Sequence, residues 1–109
     1  MQYLLLIHDD ETADNGDRLP EDIAYTEELR ASGSLVGANQ LQPTDTATTV
    51  RVRGGETLVT DGPFIETKES LGGYYLVEAG SIEDAAKLAA KIPSARLGGS
   101  VEVRQIVEM

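Results

Sequence analysis

The chain has 109 residues, of which 19 are acidic and 9 are basic, and its formal net charge is −10. This length predicts one domain, residues 1–109, since single domains usually have about 100–150 residues. The acidic balance argues against nucleic acid and anionic membranes as partners, and the absence of Cys excludes disulfides and thiolate metal sites.

The composition also limits metals, cofactors and location. His8 is the single histidine, which excludes a metal site built from several His ligands of one chain. An EF-hand calcium loop starting at Asp10 fits poorly, because Asn15 stands where that loop needs glycine. We therefore expect no metal and no cofactor. No apolar run could span a bilayer and no secretory signal is visible, which predicts a cytoplasmic protein.

The first part of the chain predicts a strand, a loop, a helix and a second strand. The apolar run Tyr3–Ile7 is typical of a buried strand. The acidic residues 9–18 indicate an exposed loop. A helix should begin near Pro20, which suits the first helical position, and end before Gly33. A second strand is expected over residues 34–41.

The middle of the chain predicts a hairpin and a further strand. Residues 48–53 alternate and are rich in β-branched side chains, which favours a half-exposed strand. Gly54-Gly55 is a two-residue hairpin turn, and residues 56–60 form the returning strand. After a break, Tyr74–Glu78 is predicted to be a strand.

The last part predicts a helix and a closing strand. Ser81 is the expected N-cap, with Asp84 three residues later. Apolar residues then follow helical spacing until Pro93 ends the helix. Residues 94–100 are expected to form a loop, and residues 101–107 the last strand.

This order of elements is a ferredoxin-like βαββαβ pattern with an inserted β-hairpin, in the α+β class. Both helices are expected to cover one face of an antiparallel sheet.

The other sheet face is predicted to be partly apolar and partly ionisable. If Val103 lies beneath the helices, Arg104 lies on the open face. His8 is expected there too, beside Leu4 and Leu6, although the first strand is apolar on both sides and could be reversed. Such a face is unusual for a free surface and predicts that a second copy packs on it, forming a homodimer.

The most distinctive segment is Asp61-Gly62-Pro63-Phe64, followed by Lys68-Glu69. With the opening strand and the Ile92-Pro93 helix end, it resembles the DGPF-domain branch of the YciI-related proteins, over nearly the whole chain. The resemblance implies a ferredoxin-like domain that dimerises into an α/β barrel. It supplies no established reaction. Members are often encoded beside, or fused to, extracytoplasmic-function sigma factors, and since this chain has no fused sigma region, such an association would act in trans.

The leading hypothesis is a small-molecule enzyme that uses acid–base chemistry in a cavity on the sheet face. His8 and Asp61 are the candidate acid–base groups. Lys68 or Arg104 would hold an anionic group of the substrate. The side chains of Tyr74 and Tyr75 lie on opposite faces of their strand, so only one of the two can line this cavity, and Tyr74 is the candidate.

Each candidate also has a structural interpretation. Asp61 could bond nearby backbone N–H groups, with Gly62 and Pro63 setting the turn, and this is the favoured interpretation. Phe64 would fill the core or the dimer interface, and His8 could be a hydrogen-bonded filler. The alternative functions are a non-catalytic ligand-binding or regulatory module working with a sigma factor, and a structural dimer with a vestigial cavity.

Overall fold

The computed structural model describes residues 1–11 and 19–109, which form six strands, three helices and one 3-10 turn. The strands are β1 (Gln2–Asp9), β2 (Leu35–Gln40), β3 (Thr48–Arg53), β4 (Glu56–Asp61), β5 (Ser70–Glu78) and β6 (Ser100–Gln105). The helices are α1 (Leu19–Ala31), α2 (Ile82–Ala90) and α3 (Pro93–Arg96), and the 3-10 turn is Thr44–Thr46.

Four strands form an antiparallel sheet in the order β2-β5-β1-β6. Strand β5 therefore lies between β1 and β2, with α1 crossing from one to the other, which is the split βαβ arrangement. Strands β3 and β4 form a separate two-stranded ribbon around Gly54 (φ 57°) and Gly55 (φ 81°). The predicted ferredoxin-like α+β fold with an inserted hairpin is confirmed.

The alternation of side chains along β1 determines which residues lie on each face of the sheet. Tyr3 is 1% exposed and Leu5 is 0% exposed, so this side of β1 faces the helices. Leu4 lies directly opposite Arg104 of β6 on the other face. His8 follows the parity of Leu4 and is on that open face as well. The expected orientation of β1 is thus confirmed, and the reversed one is excluded.

The core joins both long helices to the sheet through a pair of tyrosines. The rings of Tyr25 in α1 and Tyr75 in β5 meet edge to face, with centroids 5.1 Å apart and an interplanar angle of 82°. The Tyr25 hydroxyl donates a 2.7 Å hydrogen bond to the carbonyl oxygen of Leu88 in α2. This one side chain therefore links α1, β5 and α2.

The predicted ends of the helices are present. The Ser81 hydroxyl accepts a 3.1 Å hydrogen bond from the Asp84 N–H, as an N-cap should. Gly33 has φ 81° and ends α1, with the Ser34 N–H bonded to the Leu29 carbonyl at 3.2 Å.

Three local predictions are wrong. Residues 94–100 are not all loop, because Pro93 opens the short helix α3, for whose first turn its fixed φ is suited. Asp9 ends β1 rather than opening a loop, while residues 12–18 of that predicted loop lie outside the described residues. Phe64 does not fill the core: it is 68% exposed, and the Arg51 guanidinium lies 5.3 Å from its ring centroid. Its other predicted place, the dimer interface, stays a prediction. No helix in the described part of the chain is long and apolar enough to cross a membrane.

The tyrosine pair predicts a loss of stability at high pH. Burial raises the pKa of both phenols, each starting from about 10. Below pH 10 the folded and unfolded states both keep these protons; above it the unfolded state loses them first, so the free energy of unfolding falls as pH rises. The free energy of unfolding, measured with denaturant between pH 9 and 11, should fall more steeply with pH for wild type than for Tyr25→Phe. The difference in slope should be up to about 1 kcal/mol per pH unit. Parallel profiles would contradict this.

Candidate functional site

A cleft of about 400 Å³, here called the α1 cleft, opens between helix α1 and the sheet at the end where β1 stops. Its volume is in the range of small-molecule sites. It is lined by Ile7, Asp9, Asp22, Ile23, Thr26, Glu27, Ala38, Asn39, Gln40, Gly72, Gly73, Tyr74, Tyr75, Ile92 and Ser94. Apolar side chains and a few polar groups thus share one concavity, the usual composition of a ligand site.

Contacts with neighbouring residues hold the carboxylate of Asp9 in a fixed orientation at one wall of the α1 cleft. The Ser94 hydroxyl donates a 2.8 Å hydrogen bond to Asp9 Oδ2, and Ser94 is 6% exposed. Gly99 lies against the same carboxylate, since a Cβ there would be 2.4 Å from Asp9 Oδ1 and 2.6 Å from the His8 carbonyl oxygen. The Gly99 N–H is bonded to the Ser94 carbonyl at 2.9 Å. Helix α3 and the turn before β6 therefore form a seat for Asp9.

The opposite wall comes from the first turns of α1. Asp22 is half-buried and lies in the first turn, where the helix dipole favours a negative charge. Four residues on, the Thr26 hydroxyl bonds the Asp22 carbonyl oxygen at 2.9 Å and the Tyr75 hydroxyl at 2.8 Å. Asp22, Thr26 and Tyr75 thus stand side by side at the wall of the cleft.

Tyr75 is held as a neutral phenol. Burial raises the pKa of Tyr75, the hydrogen bond with Thr26 opposes that rise, and the charge of Asp22 adds to it. Tyr75 is therefore a hydrogen-bonding group at neutral pH and not a base.

Three carboxylates line the α1 cleft. Asp9, Asp22 and Glu27 supply them, and the Arg30 guanidinium is paired with the Glu27 carboxylate. In the part of the chain that the structure describes, no group of three or more His, Cys, Asp or Glu side chains is placed to hold a metal ion.

His8 and Arg104, two of the predicted site residues, lie on the open sheet face and not in the α1 cleft. His8 Nε2 is 3.5 Å from Glu102 Oε1. Since His8 pairs with Ser100 and Leu4 pairs with Arg104, His8 and Arg104 are four ladder positions, or about 13 Å, apart. A single chain therefore does not bring these two side chains together.

Asp61 and Lys68 lie in another place again, near the base of the ribbon. Asp61 ends β4 and is exposed. Lys68 lines a second cleft of about 400 Å³, with residues 10–11, 44–45, 62–63, 65–67 and 70. Gly62 has φ 103°, a conformation that glycine adopts readily, and its N–H bonds the Ala47 carbonyl at 2.7 Å. This agrees with the interpretation that Gly62 sets a turn.

Tyr74 is the predicted site residue that does border the α1 cleft. Its hydroxyl oxygen accepts a 2.9 Å hydrogen bond from Asn39 Nδ2 of the neighbouring strand β2. Tyr74 and Tyr75 point to opposite sheet faces, as predicted: Tyr75 is 8% exposed beneath the helices, while Tyr74 pairs with Leu6 on the open side.

Two cleft residues that were not predicted, Asp9 and Asp22, could have been found from strand alternation and helix spacing. Asp9 has the parity of Tyr3 and Leu5 along β1, so extending the alternation by four residues places it on the helix-facing side. Asp22 is three and four residues before Tyr25 and Thr26, hence on the same face of α1. Ser94 had no such signal, because the segment that carries it was predicted to be a loop.

The described fold, an antiparallel four-stranded sheet with helices on one face, defines a ferredoxin-like α+β domain. The solved structure of 5-chloro-2-hydroxyhydroquinone dehydrochlorinase (TftG) from Burkholderia phenoliruptrix AC1100, in complex with 2,5-dihydroxybenzoquinone, is similar to this chain with a TM-score of 0.58. The match covers 100% of this chain and 96% of that chain at 16% identity, so it shows the fold alone.

The YCII-related domain matches residues 1–109, and the chain belongs to the YCII-related family. An uncharacterised protein of Rhizobium meliloti (strain 1021) is 37% identical over 114 residues, which cover 97% of this chain and 92% of that protein. The family resemblance drawn from the sequence is confirmed, and the assignment to the DGPF branch stays a prediction.

The seat of Asp9 predicts that Gly99 does not tolerate a side chain. Gly99→Ala would force a Cβ into backbone and carboxylate atoms, and we expect the free energy of unfolding to fall by about 2 kcal/mol. Gly72→Ala is the matched control, because no atom lies within 4 Å of its added Cβ. Denaturant unfolding measures both. If the two substitutions lowered the free energy of unfolding equally, the prediction that Gly99 has no room for a side chain would be contradicted.

Proposed function

We propose that this protein is an enzyme that moves protons on a small, ring-sized substrate bound in the α1 cleft. The observation that carries the proposal is the seat of Asp9: a carboxylate at the edge of an apolar cleft, oriented by a hydrogen bond from the buried Ser94 hydroxyl. Holding a reactive group in one orientation by a buried partner is what preorganised sites require.

Two carboxylates on facing walls support acid–base chemistry. Asp9 at the end of β1 would accept a proton from the substrate, since an ionised carboxylate is a hydrogen-bond acceptor and a general base. Asp22, on the α1 wall, would hold a second polar group of the substrate or return a proton at another atom. Ile7, Ala38 and Ile92 supply the apolar surface on which a ring would rest.

The α1 cleft carries the carboxylates of Asp9, Asp22 and Glu27, and the Glu27 carboxylate is paired with the Arg30 guanidinium. The hypothesis of an anionic group held by Arg104 on the open face, or by Lys68 near the ribbon, stays a separate prediction.

The dehydrochlorinase of the same fold gives independent support for the substrate size. Its name describes a reaction on a substituted hydroquinone, and it was solved with a dihydroxybenzoquinone. A single six-membered ring with hydroxyl groups is therefore the first class of compound to test on the present protein.

Other predictions concern assembly and partners. A homodimer formed through the open sheet face and an association with a sigma factor in trans rest on the sequence and on the family resemblance. A dimer of this kind would pack on the sheet face opposite to Asp9 and Tyr75, which lie on the helix side.

The proposal predicts which side chains a reaction depends on. Wild type should be screened by NMR for turnover of uncharged hydroxylated rings and of their carboxylated counterparts. For any substrate found, Asp9→Asn should lower kcat at least about 100-fold, the usual contribution of a general base. Ser94→Ala should lower kcat less, because it removes the orienting hydrogen bond and leaves the carboxylate.

Two control variants separate this cleft from other sites. Glu108→Gln removes a carboxylate near the C-terminus and should leave kcat unchanged. His8→Gln tests whether the reaction takes place on the open sheet face instead. Turnover that survives Asp9→Asn but is lost in His8→Gln would contradict the proposal and would favour the open face as the site.

A further inference from the structure

Three oxygen atoms form a short chain of hydrogen bonds at the α1 wall of the cleft. Thr26 Oγ1 is 2.9 Å from the carbonyl oxygen of Asp22 and 2.8 Å from the hydroxyl oxygen of Tyr75. A carbonyl oxygen can only accept, whereas each hydroxyl carries one proton that it can donate.

The number of available protons determines which oxygen donates in each of these two hydrogen bonds. The contact of Thr26 with the Asp22 carbonyl needs the threonine proton, since two acceptor oxygens at 2.9 Å would otherwise repel each other. The contact of Thr26 with Tyr75 then needs the tyrosine proton. Both bonds form together in one arrangement only: Tyr75 donates to Thr26, and Thr26 donates to Asp22.

We infer that Tyr75 is a specificity-determining residue whose oxygen presents hydrogen-bond-accepting lone pairs to the cleft, so that the cleft selects a substrate with a hydroxyl group directed at Tyr75. This rests on the proposed function and names its substrate class: a small ring that carries a hydroxyl donor, in preference to its methyl ether.

The surroundings of Tyr75 keep this arrangement in place. Its ring is fixed against Tyr25 at 5.1 Å and is 8% exposed, so the hydroxyl has little freedom to turn elsewhere. Burial also raises the pKa of the phenol, so the proton given to Thr26 is present at neutral pH. Thr26 acts through Tyr75 and is a positioning residue.

Two matched probes test the donor preference: phenol, which has a hydroxyl donor, and anisole, its methyl ether, which has an acceptor only. NMR titration of the intact protein, followed at the backbone amides of the cleft, gives a Kd for each. Wild type should bind phenol about fivefold more tightly than anisole, the effect of one neutral hydrogen bond. In Tyr75→Phe the ratio of the two Kd values should fall towards one.

Substitutions at Thr26 separate this role from a merely structural one. Thr26→Ser keeps the hydroxyl and should keep the wild-type ratio. Thr26→Val removes it and releases the Tyr75 proton, so anisole should gain affinity and the ratio should fall, even where the variant is less stable. Thr49→Val, which removes a threonine hydroxyl at the ribbon, should leave the ratio unchanged.

Different results would contradict this inference and the proposed function. If both probes perturb the amides of the cleft with equal Kd values, or if Thr26→Val keeps the wild-type ratio, the role of Tyr75 is overturned while the cleft stands as a binding site. If neither probe perturbs those amides, the proposed substrate class and the inference are both contradicted.

Discussion

The burial of Tyr3 and Leu5 on one side of β1 is the constraint on which the rest of the structure depends. Strand β1 pairs with both β5 and β6, so its orientation fixes theirs. A shift of one residue would exchange every side chain between the two faces. The same alternation that buries Tyr3 and Leu5 beneath the helices carries Asp9 to the helix side and His8 to the open side.

This constraint gives the chain two separate surfaces with different side chains. The helix side ends in the α1 cleft, where the chain has concentrated carboxylates, a buried serine and the Tyr75–Thr26 pair. The open side carries leucines beside His8, Glu102 and Arg104, and suits contact with a second copy. Three of the 19 acidic residues, Asp9, Asp22 and Glu27, line the α1 cleft.

Much of the fold could be predicted from the sequence because its signals are local. The turn glycines at 33, 54 and 55, the cap at Ser81 and the alternation of β3 each determine a feature within a few residues. Helix α3 was missed because four residues are too few to show a helical period. Asp9 was not among the predicted site residues, since distinctive motifs drew more weight than the alternation along β1 did. The contact of Ser94 with Asp9 joins positions 85 residues apart, and no local pattern reports it.

A crystal structure with a bound hydroxylated ring compound such as catechol tests the central claim most directly. The account predicts that the ring lies in the α1 cleft, with one hydroxyl within hydrogen-bond distance of the Asp9 carboxylate and another near the Tyr75 oxygen. A ring bound instead on the open sheet face, between His8 and Arg104 or between two copies of the chain, would contradict it.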